Sequence, residues 1–156
     1  MLSQMQRLSL EVDGRYATDE ELKFIPEYLK TYELRLQTYQ KLQEIEATIV
    51  QQVCDKMRVQ DPAMFLSGNL DVTPKCKRDI LLTWRYSATA VLLDDSEMLR
   101  ERLLLWLQTL MRAFAHQRAC NLTYLVMKDV AKQHLSPQQS ALLMPILEMN
   151  QSILSV

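Results

Sequence analysis

A thiol and a carboxylate stand one helical turn apart near the middle of the chain, at Cys76 and Asp79, with Lys77 and Arg78 between them. A thiolate can attach an electrophile, and a carboxylate is a strong acceptor for N–H donors. The first turn of a helix lowers the pKa of a thiol through its free N–H groups and its dipole, and nearby cations act in the same direction. The pattern predicts a polarised Cys76; an ordinary surface cysteine is the alternative interpretation.

The helix that carries these groups is predicted to have Thr73 as its N-cap and Pro74 as its first residue, and to run to about Leu93. At about 100° per residue, this helix has three different sides. They are, in turn, a polar side with Cys76, Asp79, Thr83 and Tyr86, an apolar side with Ile80, Leu81, Trp84, Ala88 and Val91, and a basic side with Arg78 and Arg85. Residues 94–96 are expected to end this helix and cap the next.

The N-terminal half is predicted to be helical, because two glycines and five prolines in 156 residues leave few places for hairpin turns. A short helix over residues 4–12 is followed by a second that begins with a capping box of Thr18 and Glu21. Residues 27–59 carry apolar side chains at helical spacing, which fits two packed helices or one bent helix. Residues 67–69 (Ser, Gly, Asn) are predicted to form a loop.

The C-terminal half repeats this organisation. Residues 99–115 form an apolar helix, Asn121 is expected to cap a helix that reaches residue 132, and Ser136 begins the last helix with a capping box and a proline. Cys54 is predicted to be a small core residue, and Cys120 is predicted to lie in a loop. Seven or eight helices without a sustained heptad or an internal repeat favour an all-α, globin-like packing over a four-helix bundle.

Composition and charge narrow the functional classes. A chain of this length is expected to form one domain, and a formal net charge of -1 argues against nucleic acid as a partner. Three cysteines make a disulfide framework improbable, and no cysteine and histidine cluster has zinc spacing. The chain lacks an apolar run long enough to span a membrane and an N-terminal segment of the signal-peptide type, so we expect a soluble intracellular protein without membrane insertion.

Several segments resemble the phycobiliprotein family in order and spacing. Residues 76–79 (Cys, Lys, Arg, Asp) match the family's cysteine, any, arginine, aspartate motif, and residues 84–86 (Trp, Arg, Tyr) with 92–95 (Leu, Leu, Asp, Asp) are similar to its leucine, arginine, tyrosine to alanine, glycine, aspartate sequence. Residues 14–22 resemble its alanine, arginine, tyrosine, leucine, serine start. Residues 127–131 (Met, Lys, Asp, Val, Ala) resemble a segment near its C-terminus.

This resemblance implies a phycocyanin-like globin fold in a single domain over residues 1–156, with a short N-terminal helical extension. In the family, a protruding helix pair, here within residues 1–30, joins subunits. Arg15 and Tyr16 are therefore candidate interface residues, with helix capping as the alternative. The implied partners are a like or unlike phycobiliprotein subunit and other phycobilisome components. The implied location is the cytoplasm, at the thylakoid surface in a photosynthetic antenna of the cyanobacterial type.

The resemblance also implies roles for the predicted site residues between Cys76 and Tyr86. Cys76 would hold one phycocyanobilin-like linear tetrapyrrole (bilin) through a covalent thioether, and Asp79 would accept hydrogen bonds from the pyrrole nitrogens. Arg78 would face a propionate, with Lys77 beside it, and Arg85 would face a second propionate or a partner subunit. Trp84 and Tyr86 would restrict torsions that dissipate excitation. Such a protein absorbs or transfers light energy and is not an enzyme.

The segment before Cys76 is shorter than the family's, and Leu93 and Asp94 replace its alanine and glycine. These departures keep an alternative open: a pigment-free or bilin-handling interaction or regulatory protein that docks on phycobilisome components. An enzyme of bilin attachment is a third and weaker interpretation. At most one bilin is expected, because residues 132–139 offer no further cysteine.

Overall fold

The computed structural model describes residues 1–67 and 69–156. Within them the chain is built from helices: α1 (Leu2–Glu11), α2 (Asp19–Leu22), α3 (Phe24–Gln60), α4 (Thr73–Leu93), α5 (Ser96–Leu99), α6 (Leu105–Ala113), α7 (Gln117–His134) and α8 (Pro137–Leu154). A 3₁₀ turn covers Pro62–Phe65, and a π-helical turn, Arg100–Leu104, joins α5 to α6. The prediction of an all-α chain is confirmed.

Helix α3 is the longest element, with 37 residues. It decides between the two predictions for this region, because it is one continuous helix that already begins at Phe24. Pro26 is accommodated because it lies in the first turn, where its missing N–H has no helical partner. The second helix of the N-terminal extension is therefore only α2, a single turn whose capping box of Thr18 and Glu21 forms as predicted.

Helix α4 lies at the centre of the molecule, packed along α3 and against α8. Its apolar side enters the core, where Trp84 is 1% exposed and its Nε1 donates a hydrogen bond of 3.0 Å to the carbonyl oxygen of Leu42 on α3. This bond satisfies the indole N–H, which would otherwise be costly to bury. Trp84 thus fixes the register of α4 on α3.

The corner after α4 forms as predicted. Asp94 ends α4 in the left-handed conformation (φ 48°), and Asp95 caps α5 by accepting a hydrogen bond from the backbone N–H of Met98. Asp95 is buried and also accepts hydrogen bonds from the backbone N–H and the hydroxyl of Ser3 (2.7 and 2.8 Å). Helix α1 is docked on α5 through these contacts, since all of its side chains stay at least partly exposed.

The helix predicted over residues 99–115 and the helix that follows it differ from the predictions. The helix predicted from 99 to 115 contains the π-helical turn and ends at Ala113. Helix α7 begins at Gln117, so that Asn121 is an internal residue and Cys120 lies in the first turn of a helix, not in a loop. Propensity alone predicted a later start because Asn is a common cap. The last helix has Ser136 as its N-cap, with the predicted capping box, and begins at Pro137.

The connection between α3 and α4 is not purely a loop. Two short antiparallel strands, β1 (Leu66–Ser67) and β2 (Leu70–Asp71), pair in register Leu66 with Asp71. The prediction of a loop over residues 67–69 falls partly on Gly68, which lies outside the described residues. The ladder brings Asp71 back beside the end of α3, at the point where α4 begins.

Candidate functional site

The first turn of α4 differs from its prediction by one position. Val72 is the N-cap, Thr73 is the first helical residue, and the carboxylate of Asp71 accepts the backbone N–H of Thr73 at 2.8 Å. Cys76 is therefore the fourth helical residue, and its N–H already donates to the carbonyl oxygen of Val72 at 3.0 Å. Asp71 provides the cap that the sequence assigned to Thr73.

The Cys76 thiol is half-buried against the core, and its pKa is raised above its usual value. Burial is the main cause, and the negative charge of Asp79 acts in the same direction. Lys77 donates a hydrogen bond to Gln51 on α3 at 2.8 Å and so turns its charge toward another helix. The prediction of a lowered pKa at Cys76 was wrong, because the sequence showed the cations but not the burial. The thiol is a protonated nucleophile that must be activated.

Asp79 lies one turn further along the same side of α4, with 46% of its side chain exposed. Its nearest described cationic partner is Arg78, at 3.7 Å between Nε and Oδ1, and Arg78 is itself 77% exposed. This is a loose surface pair that contributes little to stability. The carboxylate of Asp79 is therefore available to N–H donors of a ligand.

Of the other predicted site residues, Arg85 is engaged with α3. Its Nε and Nη2 both donate to the carboxylate of Glu46 at 2.7 Å, and these hydrogen bonds lower the pKa of Glu46. Tyr86 is half-buried on the Asp79 side, whereas Trp84 belongs to the core. The structure thus brings Cys76, Asp79 and Tyr86 to one side of α4. Arg85 faces α3, and Trp84 lies in the core.

Two residues of α7 that the sequence did not single out belong to this region. The pKa of the Cys120 thiol is raised to about 12, first by burial and then by the negative charge of Asp79. Below it, Tyr124 is buried at the same interface, and burial raises its pKa. The spacing of Cys120, Tyr124 and Met127 on one helical side was the available signal, hidden by the choice of Asn121 as a cap. Cys120 faces the site as an inert thiol.

Two surface grooves flank these helices. One, of about 210 Å³, lies between α3 and α4 and is lined by Tyr39, Leu42, Gln43, Glu46, Trp84, Arg85, Ala88 and Thr89. The other, of about 500 Å³, lies between α3 and α7 and is lined by Lys56, Gln60, Leu122, Leu125, Val126 and Asp129. Neither of these two grooves is lined by Cys76 or Asp79.

Two other kinds of site have no counterpart in the described part of the chain. Across residues 1–67 and 69–156, no set of three or more His, Cys, Asp or Glu side chains is arranged to hold a metal ion. In the same part of the chain, no helix combines the length and the apolar character needed to cross a bilayer.

The N-terminal extension exposes several apolar side chains. Tyr16 is 97% exposed, and Leu2, Met5, Leu10, Leu22, Leu29 and Tyr32 are also exposed. Arg15 pairs with Glu21 at 2.6 Å, and this hydrogen-bonded pair together with the N–H of Thr18 lowers the pKa of Glu21 to about 2. Arg15 therefore takes part in helix capping, the alternative that the sequence left open, whereas Tyr16 has no such local role.

Comparison with known proteins now identifies the family. The family model described as phycobilisome protein matches residues 8–154. The chain belongs to the phycobilisome protein family. Its all-α architecture is that of the globin-like phycobiliprotein fold, as the sequence predicted, and the family is one of non-enzymatic light-harvesting proteins.

A curated relative agrees with this assignment. Allophycocyanin subunit beta-18 of Aglaothamnion neglectum is 26% identical over 98 residues, which cover 60% of this chain. The match spans 57% of the relative's own length. Because this relationship to an allophycocyanin subunit is distant, the functional residues of the present chain are argued from its own site.

Proposed function

We propose that this phycobilisome-family protein carries one phycocyanobilin-like linear tetrapyrrole, attached at Cys76 through a thioether, for light absorption or energy transfer in a photosynthetic antenna. One observation carries the proposal: Cys76 and Asp79 project from the same side of α4, and the Asp79 carboxylate is half-exposed with only a loose partner in Arg78. A carboxylate in this state can accept hydrogen bonds from the N–H groups of a protonated bilin.

The donor set fits such a group. Cys76 would supply the sulfur, Asp79 the acceptor, and Arg78 a cation that can swing toward a propionate because it is 77% exposed. Lys77 and Arg85 contribute less directly, since both already donate to side chains of α3, Gln51 and Glu46. When bound, the bilin supplies the absorption of visible light.

The chain's own contribution is to hold these groups in place. Helix α4 is fixed by Trp84 in the core, so Asp79 keeps a constant position relative to Cys76. Tyr86, half-buried on the same side, supplies a packed surface that restricts rotation of a ligand lying against it. Because the Cys76 thiol is protonated, attachment requires a base, and we expect this step to depend on a helper protein or on raised pH.

Coexpression with a bilin supply tests the proposal. The wild-type protein should show covalent pigment by zinc-enhanced fluorescence after denaturing electrophoresis. Cys76→Ala should abolish the signal, and the matched control Cys120→Ala should retain it, because the Cys120 thiol has a pKa of about 12. Asp79→Asn should keep the pigment and shift its visible band. A colourless wild type, or equal signals from wild type and Cys76→Ala, would contradict attachment at Cys76.

Association with a like or unlike phycobiliprotein subunit, within the phycobilisome at the thylakoid surface, is a further part of the proposal. The exposed apolar side chains of residues 1–30, above all Tyr16, support it, because clustered exposed apolar groups mark interaction surfaces. Measurement of the mass in solution, with and without Tyr16→Ser, tests this part. An unchanged association in Tyr16→Ser would exclude Tyr16 from the contact.

A second candidate function is an interaction or regulatory role without attached pigment. The protonated Cys76 thiol, and its position outside both grooves, favour this reading. The coexpression experiment separates the two functions, because a pigment-free regulator stays colourless with a full bilin supply yet still binds phycobilisome components in a pull-down.

A further inference from the structure

One side of the π-helical turn and of α6 combines exposed apolar side chains with arginine. Arg102, Leu105, Trp106 and Thr109 are all exposed, and their spacing of three and four residues makes them neighbours on a helix. The opposite side of α6 lies in the core, where Leu107 is 6% exposed. We call the surface formed by Arg102, Leu105, Trp106 and Thr109 the Trp106 face.

The charge around this face is positive. Residues 100–118 contain four arginines and one glutamate, a net charge of +3 with histidine neutral, in a chain whose total is -1. In the described part of the chain, the exposed side chains of Arg100 and Arg102 form no ion pair. Their charges are therefore available to an anionic partner.

Trp106 is the unusual member of the face. Its side chain is 57% exposed, whereas Trp84, the other tryptophan of the chain, is 1% exposed. An indole has a large apolar body and one polar N–H, so it is most stable where an apolar region meets water. Beside Leu105, it forms an exposed apolar centre between positive charges.

The backbone under this face is also unusual. Arg100–Leu104 form a π-helical turn, in which the N–H of Leu105 donates to the carbonyl oxygen of Arg100. Turns of this kind are rare and frequently occur at functional sites. The π turn is thus an observation, independent of exposure and charge, that points to a function for this surface.

The shape of the face favours a lipid surface over a protein. Neither of the two grooves described above is lined by a residue of 100–118, so the Trp106 face is the convex side of a helix. Lipid headgroups adapt to such a side without a complementary groove. They take tryptophan and leucine at the boundary with the acyl chains, and their phosphates pair with guanidinium groups.

We infer that the Trp106 face binds the surface of an anionic lipid bilayer. Leu105 and Trp106 lie among the headgroups, and Arg102 faces a lipid phosphate. The contact is peripheral, because α6 has nine residues and its other side stays in the core. The inference goes beyond the proposed function and requires neither the bilin at Cys76 nor the association of subunits.

Cosedimentation of the full chain with lipid vesicles tests this contact. Wild-type protein should bind vesicles of phosphatidylglycerol and phosphatidylcholine in equal parts at about 0.05 M salt and be released at about 1 M, because salt screens the attraction. It should bind vesicles of phosphatidylcholine alone about tenfold or more weakly, since these carry no net charge.

A pair of charge reversals makes the test specific. Arg102→Glu should raise the lipid concentration for half-maximal binding about tenfold or more, because a positive charge near the lipid surface becomes negative. Lys132→Glu, the same reversal at an exposed position on α7, should change it by less than about twofold. Both variants should keep the wild-type urea unfolding curve, because both positions are exposed.

Tryptophan emission provides a second readout. Because Trp84 is buried, a shift of the emission to shorter wavelength on addition of anionic vesicles reports on Trp106. Trp106→Ser should weaken binding about fivefold or more, since it removes the largest apolar group of the face. Tyr16→Ser, which removes an exposed aromatic side chain outside the face, should leave binding unchanged.

Several results would overturn the inference. They are equal binding to charged and neutral vesicles, equal effects of Arg102→Glu and Lys132→Glu, and an emission that vesicles leave unchanged. Binding of an acidic helical peptide that is lost in Arg102→Glu, by a protein that ignores vesicles, would assign the face to a protein partner instead. Pigment attachment and mass in solution are separate readouts: Arg102→Glu should retain both, so a failure of lipid binding leaves the proposed function standing.

Discussion

The two ends of α4 have opposite characters. At the C-terminal end, the carbonyl oxygens of Val91 and Leu92 accept hydrogen bonds from Arg35 (2.7 Å) and from the Tyr28 hydroxyl (2.9 Å), both on α3. Asp95, just beyond, is buried and accepts from three donors. At the N-terminal end, Asp79 is half-exposed and only loosely paired. At the C-terminal end the buried carboxylate of Asp95 is satisfied within the chain, whereas at the N-terminal end the carboxylate of Asp79 stays available.

This difference between the two ends of α4 shows which polar groups stabilise the fold and which remain free to bind a ligand. Helix C-termini leave carbonyl oxygens without partners, and here side chains of α3 supply those partners and join three helices at one corner. The carboxylate of Asp79, at the N-terminal end of α4, makes no comparable hydrogen bond to another helix. We therefore expect substitutions at the corner to change stability and substitutions near Cys76 to change reactivity.

The largest effect is expected at Asp95. Asp95→Ala removes the acceptor of the Ser3 and Met98 N–H groups and should lower the free energy of unfolding by about 2–3 kcal/mol. Urea denaturation measures the loss. Asp79→Ala, the same chemical change at the other end of α4, should cost less than about 0.5 kcal/mol. Equal costs at the two positions would remove the distinction between the ends.

The pH dependence of this contribution has a definite sign. Burial alone would raise the pKa of Asp95, but hydrogen bonds from Ser3 and Met98 outweigh it and hold the pKa below the unfolded value of 3.8. Stability from a lowered carboxyl pKa is fully present above the unfolded pKa and is lost as the pH falls through the folded one. The difference between wild type and Asp95→Ala should therefore shrink below about pH 4. A difference that grows in acid would contradict this account.

A smaller loss is expected at Arg35, whose side chain is 11% exposed and also pairs with Asp94 at 2.9 Å. Arg35→Met keeps most of the apolar stem but removes the Arg35 donor from the carbonyl oxygen of Val91, which then keeps only the weak 3.4 Å bond from the backbone N–H of Asp94. The substitution should therefore cost about 1–2 kcal/mol. Arg78→Met is the matched control at the exposed end and should be nearly neutral. Thermal and urea unfolding measure the loss of stability in both variants. Equal losses would mean that the contacts of Arg35 at the corner contribute no more than those of an exposed arginine.

At the N-terminal end of α4, the influence of Asp79 on Cys76 is tested by the rate at which the Cys76 thiol is modified. Asp79→Asn removes a negative charge that raises the pKa of Cys76, so alkylation by iodoacetamide at pH 8 should become about two- to fivefold faster. In wild type the rate should climb with pH to beyond the ordinary thiol value of 9.0. Peptide mass spectrometry assigns the label to Cys76, and Asp129→Asn serves as the exposed control. A rate unaffected by Asp79→Asn would show that the two groups do not interact.

The smallest effect on stability is expected at Asp94. This residue has a left-handed backbone conformation, and it stands where the phycobiliprotein motif has glycine. Asp94→Gly relieves backbone strain but loses a half-exposed ion pair with Arg35, and the two changes should cancel to within about 0.5 kcal/mol. The same denaturation experiment measures it. A loss comparable to that of Arg35→Met would mean that the ion pair, not the hydrogen bond to Val91, holds the corner.

Local signals predicted the elements well where a cap or a breaker marks the boundary. The capping boxes at Thr18 and Ser136 and the break after Leu93 are confirmed, because these features act through neighbours in sequence. The start of α3 at Phe24 and the early start of α7 were missed. Pro26 and Asn121 resemble boundary residues, but Pro26 is tolerated in the first turn of α3, and α7 begins one turn before Asn121, at Gln117.

By itself, the sequence determined the all-α class, the family, and the placement of Cys76 and Asp79 on one side of a helix, because helical periodicity and motif order are properties of the chain. The tertiary structure alone decided the state of those groups. Burial raises the pKa of Cys76 where sequence neighbours predicted the reverse, and Lys77 and Arg85 are drawn to α3 by Gln51 and Glu46. Charge and solvation depend on which helices meet, and that is set by packing between residues far apart in the sequence.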